Sequence, residues 1–290
     1  MAAVDTHAPD THTSEIHGLD ALESGPDERS TVGALWSSAW PKVAAIALAL
    51  GVWQLVVWSG WKTEYALPGP GKVLPRLLEE FGKDTTWRAI ATTMRRAAIG
   101  FAIAIVIGVV IGLAVSRFRL LRIAVGSMIT GLQTMPSIAW FPLALILFKI
   151  SEGAIQFVVV LGAAPSIANG LISGVDHVPP ILLRAGRVLG ARGIDRYRHV
   201  VLPAAMPSFV AGLKQGWAFV WRSLMAGELI VIIANKPSIG TRLQFERELS
   251  DSVGLIAWMI IILVVGVIID SLVFGIIERR IRERRGLTAA

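Results

Sequence analysis

Ionisable residues interrupt the long apolar stretches of this 290-residue chain, and four of them are its first candidates for chemistry: Lys149, Arg222, Glu228 and Asp270. An arginine in such surroundings can bind an anion, because its guanidinium presents a planar fork of donors to sulfonate, carboxylate or nitrate oxygens. Arg222 and Glu228 are six residues apart, which on a helix separates them by about 120° and prevents a simple pair on one face. A structural ion pair with a neighbouring helix is the alternative for Arg222, and for Asp270 we favour a structural role.

No enzymatic signature is found in the sequence. It contains neither a metal-binding HExxH motif nor a G-x-S-x-G elbow, and the run at residues 69–72 lacks the Ser or Thr of a phosphate loop. The absence of cysteine excludes disulfides, thiolate metal sites and cysteine nucleophiles. His7, His12 and His17 recur every five residues, a spacing that does not place them on one helical face, so a solvated tail is favoured over a metal site. We therefore expect no catalytic residue and no metal.

The composition is that of a membrane protein. Hydrophobic residues make up 54% of the chain and charged residues only 17%, with a mean hydropathy of +0.62. Soluble domains are typically about 45–50% apolar and about 25% charged. The net charge of +7 could indicate nucleic-acid binding, but the arginines cluster between apolar stretches, as cytoplasmic loops do. The sequence predicts an all-α, multi-pass protein of the plasma membrane.

The apolar stretches that must position these residues number six. A membrane helix needs about 20 mostly apolar residues. Pro136 and Pro142 interrupt the third stretch, and each is expected to bend it. A bent helix can line a pathway, so Met135, Pro136 and Trp140 are candidates for one, with packing alone as an equal alternative. The six stretches are Val43–Trp61, Ala97–Ser116, Ala124–Phe148, Ala154–Val175, and approximately Ala204–Ile233 and Leu255–Ile277.

The distribution of arginines predicts the orientation. Arginine-rich loops follow the second, fourth and sixth stretches, so the positive-inside rule places both termini in the cytoplasm. Arg95 and Arg96 then lie on the outer side of the second stretch and would have to snorkel. Within the first 35 residues, seven acids face one arginine. We expect residues 1–38 to form a disordered acidic cytoplasmic tail and residues 39–290 to form the membrane domain.

The loop at about residues 178–203 has the most informative pattern. It predicts a short helix, a glycine turn at residues 190–193, a second short helix and then Pro203, which suits the first turn of a helix. Such a unit on the cytoplasmic face forms a docking surface for a partner or, alternatively, a basic loop seated on anionic headgroups. The pattern leaves both interpretations open.

This loop resembles the EAA loop of importer-type ABC permeases. The family pattern is E-A-A, three residues, G, nine residues and I-x-L-P. Arg184 and Gly186 stand where the family has Glu and the second Ala, and Val200 replaces Ile. The positions that match are Ala185, Gly190, Val200, Leu202 and Pro203.

The resemblance extends over roughly residues 40–285. The runs at residues 67–70, 132–143 and 221–228 are similar to the branch of the family that serves sulfonates, taurine, nitrate and bicarbonate. The middle run is most similar to the aliphatic-sulfonate permeases.

The resemblance implies a type I importer permease that has no hydrolytic activity of its own. It implies a homodimer of this chain, two cytoplasmic ATPase subunits that bind ATP and magnesium, and an extracytoplasmic binding protein that delivers the substrate. The permease would work by alternating access. No cofactor is expected in this chain, and its remaining contacts are with membrane lipid and not with nucleic acid.

Two sets of site residues follow from the motifs and the resemblance. The loop is expected to couple to the ATPase through Ala185, Gly186, Gly190, Leu202 and Pro203. The translocation path is expected to involve Met135, Pro136, Trp140, Arg222 and Glu228.

Three alternatives remain open at this point. Within the branch, the cargo could be nitrate, taurine or bicarbonate. A stand-alone secondary transporter or channel would need an ion-coupling constellation, for which only Arg222, Glu228 and Asp270 are available. A membrane scaffold without transport is the third alternative.

Overall fold

The structure is a computed structural model, and it describes residues 31–284. Nearly all of these residues are helical, and none of those described forms a strand. The first helix begins at Thr31, so residues 31–38 are helical where the sequence predicted the end of a disordered tail. The rest of that predicted tail, with its three histidines, lies outside the described residues.

The helices follow one another with short connections. The elements of the first half are α1 (Thr31–Trp58), α2 (Pro70–Phe81), α3 (Asp84–Arg117), α4 (Arg119–Thr134), a 3₁₀ turn (Ser137–Trp140), α5 (Phe141–Phe148) and α6 (Glu152–Asp176). Those of the second half are α7 (Pro180–Val188), α8 (Gly193–Arg196), a π-helical turn (Tyr197–Val201), α9 (Leu202–Ile230), α10 (Ile239–Glu248), α11 (Ser252–Ile269), a second π-helical turn (Asp270–Phe274) and α12 (Gly275–Arg284).

Four of the described helical segments are long and apolar enough to cross a membrane, which is fewer than the six predicted. They lie in α1, α3, α6 and the continuous run from α11 into α12. A fifth arises if α4 and the segment 137–148, bent by 103°, are one broken span. The remaining predicted span is α9, which is 29 residues long but carries Lys214, Arg222 and Glu228. Its charges make α9 less apolar than a lipid-exposed helix, and its packing explains how it tolerates them.

The break in the third predicted span has a local cause. Met135 precedes Pro136 and adopts an extended conformation, with φ −76° and ψ 127°. The ring of a proline disfavours the helical conformation of the residue before it, so α4 stops at Thr134. Pro142, by contrast, lies in the first turn of α5, where its missing N–H costs nothing. The prediction of a bend was therefore right at Pro136 and wrong at Pro142.

Helix α6 is the centre of the bundle, and α3 and α9 pack along it. Glycines allow the close approach, as is common where membrane helices meet. A methyl group added at Gly212 of α9 would lie 2.7 Å from the Cα of Gly170 in α6. One added at Gly108 of α3 would lie 2.8 Å from the carbonyl oxygen of Ala164. These contacts hold α3, α6 and α9 in one fixed arrangement, and the candidate site is built on it.

Candidate functional site

A buried ion-pair cluster joins the helices at one end of the bundle. Nη1 of Arg96, on α3, lies 2.9 Å from Oε1 of Glu228, on α9. Nε and Nη2 of the same guanidinium bind the two oxygens of Glu152 at 2.8 and 2.9 Å. The side chain of Arg96 is 2% exposed and that of Glu228 is 0% exposed. Arg96 therefore does not snorkel as the sequence predicted, because it finds two carboxylates inside the protein.

Further donors complete the coordination of these carboxylates. Thr93 Oγ1 donates to Glu228 Oε2 at 2.9 Å, and the N–H of Gly240 donates to the same oxygen at 3.0 Å. Gly240 lies in the first turn of α10, where the helix dipole favours a negative charge. Lys236 binds Glu152 at 3.2 Å. Two cations thus balance two carboxylates, and the cluster fixes α3, α6, α9 and α10 to one another.

Glu228, which the sequence analysis expects in the translocation path, is bound on both oxygens within its own chain. Its two oxygens accept from donors of its own chain, and its side chain is fully buried. Little in the sequence indicates this pairing, since Arg96 and Glu228 are 132 residues apart. The sequence indicates only that Arg96 and Glu228 are charged residues near the ends of two apolar stretches.

Arg222 lies on the exposed side of α9, away from the cluster. Its Nε donates to the carbonyl of Ala218 at 3.0 Å, and its guanidinium lies 4.7 Å from the centre of the Phe219 ring. Among the described residues, no carboxylate forms an ion pair with it. Ala211, Gln215, Ala218 and Arg222 follow one another at intervals of three or four residues and are all exposed. We call these four residues the α9 stripe.

The broken span lies beside the α9 stripe. Ser223 Oγ donates to Ser137 Oγ at 2.8 Å, and Ser137 follows the break directly. Met135 is 40% exposed, while Trp140 is half-buried against the core. The segment that contains Met135, Pro136 and Trp140 therefore lies beside the part of α9 that carries Arg222. Glu228, the remaining predicted path residue, lies apart from them in the buried cluster.

The loop between α6 and α9 has the predicted helix–turn–helix form. Gly190 has a φ of +86°, a left-handed conformation that glycine adopts without strain, and it ends the first short helix. Gly186 is buried, and a methyl group there would lie 2.7 Å from Cγ2 of Val200. Both glycines are thus required by geometry.

The second short helix does not stop before Pro203. It runs through a π-helical turn into α9, so Leu202 and Pro203 form the first turn of that helix. Movement of the loop can therefore reach α9 without crossing a flexible joint.

The tip of the loop exposes large apolar side chains. Val188 is 88% exposed and Leu189 is 86% exposed. Exposed arginines stand around them: Arg184, Arg187 and Arg192. Clustered apolar residues with a polar rim are typical of a protein interface.

Some of the other charged groups of the described segments have partners within the chain. Lys214 binds Glu278 at 3.2 Å and lies 3.9 Å from Asp270, which agrees with the structural role predicted for Asp270.

On α2, outside the spans, the hydrogen bond to Glu79 raises the pKa of Arg76. Burial, reinforced by the nearby Asp251, raises the pKa of Glu246 on α10. No set of three or more metal-ligating side chains occurs in residues 31–284.

Comparison with known proteins shows which family this chain matches. The profile of the family "binding-protein-dependent transport system inner membrane component" matches residues 104–283, more than half of the chain. ABC transporter permease protein MJ0413 of Methanocaldococcus jannaschii is 29% identical over 79% of this chain and 86% of its own length. The nitrate import permease protein NrtB of Synechocystis is 30% identical over 66% of this chain and 73% of its own. The aliphatic sulfonates transport permease protein SsuC of Bacillus subtilis is 25% identical over 82% and 85%.

A solved structure shares the fold. A chain of the MetNI methionine ABC transporter, in an inward-facing conformation, superposes with a TM-score of 0.58 at 17% identity. The match covers 68% of this chain and 96% of that one.

The cluster leads to a prediction about stability. Replacing Glu228 by Ala leaves the guanidinium of Arg96 with one carboxylate and strands it in an apolar setting, which typically costs about 3–5 kcal/mol. We expect a markedly lower apparent Tm of the purified protein in detergent. Glu248→Ala is the matched control, since Glu248 is exposed and binds only Gln244, at 2.8 Å. Equal Tm values for the two variants would contradict the structural role of the cluster.

Proposed function

Because the chain belongs to the family of binding-protein-dependent transport system inner membrane components, it is the permease subunit of an ABC importer, and we propose that it moves a small organic anion, an aliphatic sulfonate, inward by alternating access. In this proposal the chain acts as a homodimer and receives its substrate from an extracytoplasmic binding protein. ATP is hydrolysed on separate cytoplasmic subunits.

The observation that carries the proposal is the unpaired guanidinium of Arg222 beside a broken span. A charge inside a membrane is costly unless it faces protein or water. Arg222 has a carbonyl and a ring as neighbours within the chain, but no described carboxylate. The broken helix next to it is also tolerated only where protein or a water-filled cavity satisfies its backbone. Together they support an aqueous path along the α9 stripe.

The composition of the stripe supports a second copy of the chain across that path. Ala211 and Ala218 are small, so they allow close approach of another helix. Gln215 and Arg222 supply polar groups that lipid would not accommodate. Two such stripes facing each other would give a path that is narrow, polar and positively charged.

The chemistry of Arg222 favours an oxyanion as cargo. A guanidinium donates two parallel hydrogen bonds to a planar or tetrahedral oxyanion, which a sulfonate, nitrate or carboxylate accepts equally well. The choice of sulfonate among these rests on the similarity of residues 132–143 to sulfonate permeases and on the relative named for aliphatic sulfonates. Nitrate, taurine and bicarbonate are the second candidates, and relatives named for nitrate import and for taurine transport support the first two.

The loop tip supports coupling to an ATPase. Val188 and Leu189 are nearly fully exposed and would insert into an apolar groove of a partner. Ala185, Gly186 and Gly190 shape the turn that presents them, and Leu202 and Pro203 connect it to α9. A stand-alone secondary transporter is less well supported, because Glu228 and Asp270 have cationic partners and neither is free to carry a coupling ion.

The first experiment tests cargo and path together. A strain that lacks the gene is complemented with the wild-type gene or with the Arg222→Gln variant. Uptake of an alkanesulfonate is then measured, together with growth on that alkanesulfonate as the sole sulfur source. Growth on sulfate is the control. We expect the variant to lower uptake by about tenfold to hundredfold, the effect of losing a charge-assisted hydrogen bond. Arg88→Gln is the control, because Arg88 is exposed and pairs with Asp84 at the surface.

Two outcomes would contradict the proposal. Wild-type uptake by Arg222→Gln would remove Arg222 from the path. Sulfonate uptake that does not depend on the gene would exclude that cargo, and taurine, nitrate and bicarbonate would be tested in turn.

The second experiment tests the docking surface. Leu189→Asp places a charge at an exposed position, so the protein should still fold and insert. We expect it to lose copurification of the ATPase subunit, because an aspartate cannot enter an apolar groove without a desolvation cost. Leu78→Asp, at an apolar position of α2 that is 73% exposed, is the control and should keep the ATPase bound. Retention by both variants would contradict the docking role.

A further inference from the structure

A groove lies at the arginine-rich end of the bundle, between α3, α6 and α9. Its volume is about 480 Å³, and its lining is almost entirely apolar. Val109 and Leu113 line one side, and Leu202, Met206 and Phe209 line the other. Arg198 is the charged residue of the lining.

Each side of the groove continues into an arginine at the arginine-rich end of the bundle. On α3, Arg117 follows Val109 and Leu113 at intervals of four residues, so it continues their row one turn beyond the groove. On the other side, Arg198 precedes Leu202 and Met206 at the same interval. Both arginines are exposed, and among the described residues neither forms an ion pair. The ring of Phe118, 5.9 Å from the guanidinium of Arg117, is compatible with an additional anionic contact.

The dimensions of the groove match half a bilayer. Eight residues of helix, from Val109 to Arg117, rise about 12 Å. One leaflet of hydrocarbon is about 15 Å thick. The apolar part of the groove thus lies at the depth of acyl chains, and its two arginines lie at the level of phosphate headgroups.

The groove is distinct from the stripe that carries Arg222. Met206, which lines the groove, and Gln215, in the stripe, are nine residues apart, or about 180° around α9, so the two surfaces lie on opposite sides of the helix. A flexible hydrocarbon chain can follow an apolar groove of this kind, and the two arginines favour a lipid with an anionic headgroup.

We propose that this groove binds a phospholipid of the cytoplasmic leaflet with an anionic headgroup, its acyl chain between α3 and α9 and its phosphate between Arg117 and Arg198. The site is separate from the path and from the tip of the coupling loop. Because Arg198 lies in the π-helical turn that joins the loop to α9, the lipid would hold that junction against α3.

The test uses the absence of native cysteines. The full chain with Leu113→Cys is labelled with bimane, an environment-sensitive dye, and is placed in nanodiscs. Two series of nanodiscs contain matched, increasing fractions of brominated phosphatidylglycerol or of brominated phosphatidylcholine. We expect phosphatidylglycerol to quench the label to a given extent at a lipid fraction about fivefold to tenfold lower than phosphatidylcholine requires. This is the effect of one or two arginines near an anionic headgroup. Val110→Cys is the control, because Val110 is exposed on another side of α3 and should show no preference.

The variants separate headgroup recognition from simple lipid contact. Arg117→Ala with Arg198→Ala should remove the preference for phosphatidylglycerol and leave quenching by phosphatidylcholine unchanged. Arg119→Ala, an exposed arginine at the same end but outside the groove, should leave the preference intact. Equal quenching by the two lipids at position 113 would overturn the headgroup assignment. No quenching by either lipid would show that protein covers the groove and would overturn the site itself.

Discussion

A charged side chain inside a membrane must be neutralised by a partner or kept in contact with water. This constraint determines the role of each ionisable residue in the bundle. Arg96 satisfies it by pairing with both Glu228 and Glu152, and Lys214 satisfies it by pairing with Glu278. Arg222 has no such partner among the described residues, and we therefore propose that water reaches it. The pairing of Arg96, Glu228 and Lys214 is what makes Arg222 informative.

Helix α9 connects the two proposed functional regions with the buried cluster. It begins at the loop that we propose docks the ATPase, presents the stripe with Arg222 along its exposed side, and ends at the buried cluster through Glu228. Its close contact with α6 at Gly212 and its continuity with the π-helical turn make it a rigid element. A force applied at Leu189 by a partner subunit would therefore be transmitted along α9 toward Arg222. The coupling that we propose would be mechanical and would need no side-chain relay.

The sequence predicted the features that depend on local rules. The break before Pro136 follows from the restriction that a proline imposes on its predecessor, and the turn at Gly190 follows from the need for a positive φ. The pairing of Arg96 with Glu228 could not be predicted, because it joins helices that are distant in sequence. For the same reason, the sequence does not indicate that Glu228 has partners within its own chain. A single sequence shows that a buried charge exists but not which helix neutralises it.

Accessibility of the α9 stripe to water is the most direct test of this account. The chain has no cysteine, so Ala218→Cys is the one thiol available to a charged, water-soluble reagent in intact membranes. The matched control is Val106→Cys on α3, since Val106 is 64% exposed and apolar. The account predicts rapid modification at position 218 and slow modification at position 106, because the first faces an aqueous path and the second faces lipid. Equally slow modification at both positions would place the stripe in lipid or in a dry interface and would contradict the central claim.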